Sequence, residues 1–134
     1  MPGVVPISRM QVVELYSPER VNKVAKEKGM TTGLSLDLTT GWNFDRQEDR
    51  DLAEKYIREY KPMFVIGSPM CTMFSKMQAR NRERNEHRRE EYEARLRKAE
   101  KHMRFAVKMY RVQLEGGRYF IHEHWCQSLL LYYF

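Results

Sequence analysis

Hydrophobic residues occur along the chain in short runs that alternate with segments of helical periodicity. Four runs are rich in Val, Ile, Leu and aromatic residues and are bounded by Gly, Pro or polar residues, a pattern typical of buried strands. These runs are QVVELY at residues 11–16, GLSLDL at 33–38, MFVI at 63–66 and RYFIHEH at 118–124. Apolar positions spaced by three and four residues predict helices at residues 17–28, 46–60 and 88–114.

The ends of the first two helices are marked by residues with capping chemistry. Ser17 followed by Pro18 predicts an N-cap and a first helical position, and Gly29 predicts the end of that helix. Asp45 and Glu48 form a D-x-x-E pair, which is typical of a capping box at the start of the second helix. The side chains expected to face the core from these helices are Val21, Val24, Ala25, Leu52, Ala53, Tyr56 and Ile57.

The third helix is the longest, and a polar loop at residues 76–87 precedes it. Its expected core positions are Tyr92, Leu96, Ala99, Met103, Ala106, Val107, Tyr110 and Leu114. We expect a flexible N-terminus at residues 1–10, one domain at 11–124 and an atypical apolar tail at 125–134. The basic loop and helix occupy residues 76–114 of that domain.

Strands that alternate with helices predict an α/β fold with three layers. The expected architecture is a mostly parallel sheet of about four strands, with helices on both faces and right-handed crossovers. In such Rossmann-like sheets, ligands bind beyond the carboxyl ends of the strands. The segments expected there are Ser17-Pro18, Asp37, residues 67–75 and residues 122–124. One edge of the sheet is therefore predicted to gather a thiol, two carboxylates and the start of a basic helix.

A surplus of basic residues bears on the choice of partner. The chain of 134 residues has 24 Lys and Arg against 18 Asp and Glu, for a net charge of +6. Much of this charge falls within residues 76–111, where it indicates either the solvated face of a helix or a surface that binds DNA or another nucleic acid. The residues expected to contact nucleic acid are Lys76, Arg80, Arg82, Arg84, Arg88 and Arg89.

The two cysteines, Cys71 and Cys126, are too few for a disulfide framework, and residues 1–10 lack the apolar core of a signal peptide. Both observations favour an intracellular protein of the nucleus or cytoplasm. The apolar stretch at residues 129–134 is too short to span a bilayer, so no membrane partner is expected. His122, His124 and Cys126 alternate along a possible strand, which leaves a zinc site as a minor alternative.

The most specific motif is GSPMCTMFS at residues 67–75. It resembles the cysteine loop of the DNA cytosine-5 methyltransferases, which usually reads Gly-Pro-Pro-Cys-Gln followed by Phe-Ser. The resemblance implies that Cys71 is the nucleophile that attacks carbon 6 of a flipped-out cytosine. Glu123, near the end of the last predicted strand, is similar in position to the family's glutamate that holds the protonated ring.

The same resemblance implies that the cofactor is S-adenosylmethionine. The segment ELYSP at residues 14–18 stands where the family has Asp-Leu-Phe-x-Gly, and Asp37 stands where an acid grips the ribose. The residues implied to bind the cofactor are Glu14, Ser17, Asp37, Gly67 and Pro69. A strand–helix unit of the family is missing before the cysteine strand, and Ser17-Pro18 replaces a Gly-rich turn. These departures leave open an incomplete or inactive copy from a mobile-element polyprotein.

The chemistry of cytosine explains why these residue types are needed. Carbon 5 is a poor nucleophile, and addition of a thiolate at carbon 6 makes an enamine that can take a methyl group. A nearby carboxyl group stabilises the activated ring by hydrogen bonds at its N3 and exocyclic amine, and the base must first leave the duplex. Two other functions stay open. One is a non-catalytic α/β module that binds nucleic acid or protein, and the other is an amino-methyltransferase whose motif would include Ser68-Pro69.

Overall fold

The structure, a computed structural model, describes residues 10–70 and 86–123, with side chains in the second range from Arg89 onward. In chain order the elements are β1 (Val12–Leu15), α1 (Val21–Glu27), β2 (Thr32–Leu36), a 3-10 turn (Leu38–Thr40), α2 (Gln47–Tyr60), β3 (Phe64–Gly67), α3 (Glu86–Glu115) and β4 (Tyr119–His122). Each predicted strand and helix is therefore present. Most of the predicted polar loop, residues 76–85, lies outside the described residues.

The four described strands form one parallel sheet in the order β2-β1-β3-β4. From β1 the chain passes through α1 to β2 on one side, and then returns past β1 to reach β3 on the other side. This arrangement confirms the predicted α/β fold with a parallel sheet and flanking helices. Because the direction of winding reverses between β1 and β3, a crevice is expected at the carboxyl ends of these two strands.

The two faces of the sheet are covered by different helices. On one face, α1 packs on β1 and β2; on the other, α3 packs on β3 and β4 and contacts α2. Successive strand residues point to opposite faces, so Val13 and Leu15 face α2 and α3 while Glu14 faces α1. The core between the sheet and the two longer helices contains Val13, Leu15, Leu36, Phe44, Ala53, Ile57, Val65, Phe105, Ala106, Met109 and Tyr110. Burial of this apolar surface is the main favourable contribution to folding.

The start of α1 differs from the prediction. Its N-cap is Arg20, whose own side chain makes no capping hydrogen bond, so the assignment of Ser17 as N-cap is wrong. The carboxylate of Glu14 takes the amides that a capping side chain would bind. This contact turns Asn22 and Ala25 toward the sheet. The predicted inward side chains Val21 and Val24 are 38% and 50% exposed, and only Ala25 was placed correctly.

The other two helices confirm their predicted cores with local exceptions. In α2, Ala53 and Ile57 are buried and Tyr56 is half-buried, but Leu52 is 56% exposed. The predicted capping box fails because no side chain caps α2 and the Asp45 carboxylate binds α3 instead.

The predicted core of α3 is buried or half-buried except at its last position. Leu114 is exposed and Gln113 is buried in its place. The Gln113 amide donates to the carbonyl oxygens of Pro62 and Tyr119, both at 2.9 Å. This pair of hydrogen bonds favours the orientation that turns Gln113 inward.

Candidate functional site

The carboxyl ends of the four strands lie side by side along one edge of the sheet. The parallel register pairs Leu15 with both Leu36 and Gly67, and it pairs Gly67 with His122. The residues that immediately follow the strands therefore lie in a row. In sheet order they are Asp37, Tyr16, Ser68 and Glu123. The described parts of the predicted segments thus share one edge, with Asp37 and Glu123 at its two ends.

Ser68 and Glu123 are in direct contact at the ends of β3 and β4. The Ser68 hydroxyl donates to Oε2 of Glu123 at 3.2 Å. The backbone holds both residues in place, because the amide of Ser68 donates to the Leu15 carbonyl at 2.9 Å and that of Glu123 to the Gly67 carbonyl at 2.8 Å. Glu123 is exposed, so its carboxylate is accessible to a ligand at the rim. Cys71 follows Ser68 by three positions in the chain and lies outside the described residues.

Gly67 lies at the point where β3 passes closest to α3. A Cβ atom at this position would overlap the hydroxyl oxygen of Tyr110 and lie 2.8 Å from its Cζ. The Tyr110 ring stacks on Phe120 with centroids 4.4 Å apart, and its hydroxyl lies 2.7 Å from Nδ1 of His122. Burial raises the pKa of Tyr110, so the phenol stays protonated beside the imidazole. The glycine is thus required by packing, whatever its proposed role toward a cofactor.

Glu14 is almost fully buried beneath the start of α1. Its carboxylate accepts hydrogen bonds from the backbone amides of residues 20, 21 and 22 at 3.0, 2.8 and 3.2 Å. It also accepts one from the Ser35 hydroxyl at 3.0 Å. Ser17 is buried beside it. The structure therefore gives Glu14 a structural role as the cap of α1, while its predicted contact with the cofactor stays a prediction.

Asp37 follows β2 and organises the turn beyond it. Its Oδ2 accepts from the amide and hydroxyl of Thr39 at 3.0 and 2.6 Å, and its own amide donates to the hydroxyl of Thr40 at 3.1 Å. The side chain is half-buried, and it also accepts from the Thr40 backbone amide in the capping box of this turn. Asp37 is therefore held in a fixed position at the edge, and its carboxylate oxygens have further lone pairs that can accept hydrogen bonds. Pro69 is buried on the far side of β1 from it.

A polar network that the sequence did not predict lies next to the end of β1. The hydroxyl of Tyr16 is 2.8 Å from Nδ1 of His102, and Nε2 of His102 is 2.9 Å from Oδ1 of Asp45. Lys98 completes the network at 3.1 Å from Oδ2 of Asp45. Tyr16 adopts a left-handed backbone conformation, with φ of 60°, which is uncommon for a residue other than glycine.

The protonation states in this network follow from burial and pairing. Burial raises the pKa of Tyr16, so its hydroxyl keeps its proton. Burial and the charges of Lys101 and Lys98 together lower the pKa of His102, although the Asp45 carboxylate raises it. A neutral His102 with its proton on Nε2, toward Asp45, accepts at Nδ1 from the Tyr16 hydroxyl. Burial alone would raise the pKa of Asp45, but the hydrogen bonds from Lys98 and His102 lower it. The network therefore connects the turn after β1 to α3 by hydrogen bonds, and His102 stays neutral near neutral pH.

Several predicted site residues lie outside the described residues. They are Cys71, the four basic residues of the loop, His124 and Cys126, and the side chain of Arg88 is also outside. The loop residues in this group are Lys76, Arg80, Arg82 and Arg84. Arg89 is exposed in the first turns of α3. The predicted nucleic-acid contacts of this segment stay predictions.

The chain was compared with family models, curated proteins and solved structures, and none of them matches it. Within the described ranges, no helix is both long enough and apolar enough to cross a membrane. In the same ranges, no group of three or more His, Cys, Asp or Glu side chains is arranged to hold a metal ion.

Proposed function

We propose that this chain is an S-adenosylmethionine-dependent methyltransferase-like domain that acts on cytosine in DNA. The contact between Ser68 and Glu123 supports the proposal most directly, because it joins the turn that leads to Cys71 to the carboxylate that would hold the base. Nucleophilic addition to a pyrimidine ring requires a thiol and a carboxylate close together, and Cys71 follows Ser68 by three positions in the chain. The resemblance at residues 67–75 supplies the identity of that ring.

In this proposal each protein group has one task. The thiolate of Cys71 adds to carbon 6 of the extruded cytosine, and the electrons of the C5=C6 double bond move onto carbon 5. Once carbon 5 carries the methyl group, it loses its proton to solvent, the double bond forms again and the Cys71 thiolate leaves. Glu123 holds the ring by hydrogen bonds at N3 and the exocyclic amine, and Ser68 orients the Glu123 carboxylate through its hydroxyl. The exposure of Glu123 at the rim fits a base that arrives from outside the protein.

Part of the described edge fits a cofactor. Asp37 is fixed by Thr39 and Thr40, and its carboxylate oxygens have further lone pairs that can accept hydrogen bonds from ribose hydroxyl groups. The end of β1 lies between β2 and β3, so a molecule held by Asp37 would extend toward the turn at Ser68. S-adenosylmethionine, when bound, would supply the methyl group. Glu14 contributes indirectly in this proposal, since it fixes the start of α1 beneath the edge.

Methyl transfer from radiolabelled S-adenosylmethionine to a cytosine-containing DNA duplex tests this proposal. We expect label in 5-methylcytosine. We expect Glu123→Gln to lower the rate by about 10²-fold, because the single oxygen of an amide cannot accept from both the protonated N3 and the exocyclic amine. The matched control is Glu115→Gln, at the exposed last residue of α3, and it should leave the rate unchanged.

The site of the methyl group separates the alternatives. Label on the exocyclic amine of cytosine would replace the proposal with an amino-methyltransferase. Absence of transfer by the wild-type chain would contradict the proposal and leave a non-catalytic binding module.

A further inference from the structure

The outer surface of α3 carries a line of cations, which we call the basic ridge. It consists of Arg97, Lys101, Arg104, Lys108 and Arg111, all of them exposed. Their spacing of i, i+4, i+7, i+11 and i+14 places them on one side of an α-helix. At 1.5 Å per residue the ridge extends over about 21 Å. The basic ridge lies C-terminal to the arginines that the sequence analysis singled out.

The ridge faces away from the core. Met103, Ala106 and Tyr110 lie on the opposite side of α3 and are buried in the protein. Between Arg97 and Arg111 one acidic residue, Glu100, lies on the ridge side of the helix among five cations. Because the apolar face of α3 packs on the core, the cations on the opposite side of the helix point toward solvent.

A groove of about 410 Å³ runs between the ridge and α2, with Phe105 at its base. Cations outnumber acids along its walls: Arg50, Arg97, Lys101, Arg104 and Lys108 line it together with Asp51, Glu54 and Glu100. Lys108 is paired with Glu54 at 2.8 Å. Arg97 and Lys101 form no ion pair with a described residue, so they have positive charge available for a partner.

We propose that the basic ridge binds the sugar–phosphate backbone of a nucleic acid. A line of exposed cations complements a line of phosphates, and such contacts gain free energy from the release of counterions. An anionic membrane is a poorer fit, because a helix that lies on a membrane exposes Trp, Phe or Leu beside its cations, and every exposed position of α3 from Arg97 to Arg111 is a Lys or an Arg. The inference adds a surface to the proposed function but does not need the methyl-transfer step.

Fluorescence anisotropy with a labelled DNA duplex of about 20 bp tests the proposal, without S-adenosylmethionine and at salt from about 50 to 200 mM. The ridge variant is Arg97→Gln/Lys101→Gln/Arg111→Gln. The matched control is Arg20→Gln/Lys23→Gln/Lys28→Gln, which removes the same charge from exposed positions on and next to α1, on the other face of the sheet. We expect the ridge variant to bind at least about tenfold more weakly and its salt slope to fall by about 2 to 3, with little change in the control.

Three results would overturn the proposal. The first is wild-type affinity and salt slope in the ridge variant, with its fold verified by circular dichroism. The second is equal weakening by the two triple variants, which would mean that only net charge matters. The third is the absence of salt-dependent binding by the wild-type chain. Repeating the titration with Cys71→Ser distinguishes failure of the ridge proposal from failure of the proposed methyl transfer. Because the ridge does not include the thiol, this variant should bind the duplex with wild-type affinity.

Discussion

Replacing Glu14 by Gln lowers the free energy of unfolding by about 3 kcal/mol, because a buried carboxylate that accepts several hydrogen bonds is lost. An amide has only one oxygen. In one orientation its NH₂ group meets the amide of Val21, and in the other it meets the amides of Arg20 and Asn22. At least one backbone N–H is then buried opposite another donor.

Urea denaturation followed by circular dichroism measures this effect. Glu27→Gln is the matched control, since it removes the same charge from an exposed position in the last turn of α1. We expect the control to stay within about 0.5 kcal/mol of the wild type. Equal loss of stability in both variants would show that Glu14 acts through the net charge and not through the start of α1.

Replacing Gly67 by Ala also lowers the free energy of unfolding by about 3 kcal/mol, at the upper end of the usual cost of overpacking a core. The added methyl group would occupy the place of the Tyr110 hydroxyl. Tyr110 has little freedom to retreat, because its ring is stacked on Phe120 and its hydroxyl is bonded to His122. Gly67 does not have a positive φ, so backbone strain contributes little.

A double-mutant cycle with Tyr110→Ala isolates this contact. Tyr110→Ala alone destabilises the protein by creating a cavity, but Gly67→Ala in that background has space for its methyl group. The second substitution should therefore cost less than about 1 kcal/mol when made in Tyr110→Ala. A full cost in both backgrounds, from chemical denaturation curves, would contradict the steric account of Gly67.

The architecture could be predicted because its signals are local. Short apolar runs separated by helical periodicity specify the order of strands and helices, and parallel pairing then places the strand ends on one edge. The contact between Ser68 and Glu123 also requires that β3 pairs with β4, which the order of elements does not specify, since the consecutive strands β2 and β3 are separated by β1.

The predicted helix caps that proved wrong are decided by contacts between different elements of the fold. Ser17 has the composition of an N-cap, but the carboxylate of Glu14 reaches the same amides from the strand below. Likewise, Asp45 has the position of a capping residue and is taken by α3 through Lys98 and His102. The link between Tyr16 and His102 joins residues 86 positions apart, and no local pattern indicates it. Side-chain capping rules describe the local competition only, and tertiary hydrogen bonds override them.

The glycine of the cysteine loop has two explanations that the sequence does not separate. A motif glycine suggests a backbone that a ligand approaches closely. The structure shows instead that the approaching group at Gly67 is the Tyr110 side chain. Motif residues at a strand end can thus be required by packing and by chemistry at the same time.

Covalent trapping tests the proposed chemistry most directly. A DNA duplex that contains 5-fluorocytosine holds the nucleophile on carbon 6, because the fluorine on carbon 5 blocks the elimination that would release it. Incubated with S-adenosylmethionine and this duplex, the wild-type chain is expected to give a protein–DNA adduct that survives denaturing electrophoresis. Cys126→Ser should give the same adduct and Cys71→Ser none. No adduct with the wild-type chain, or an equal adduct with Cys71→Ser, would contradict the assignment of Cys71 as the nucleophile.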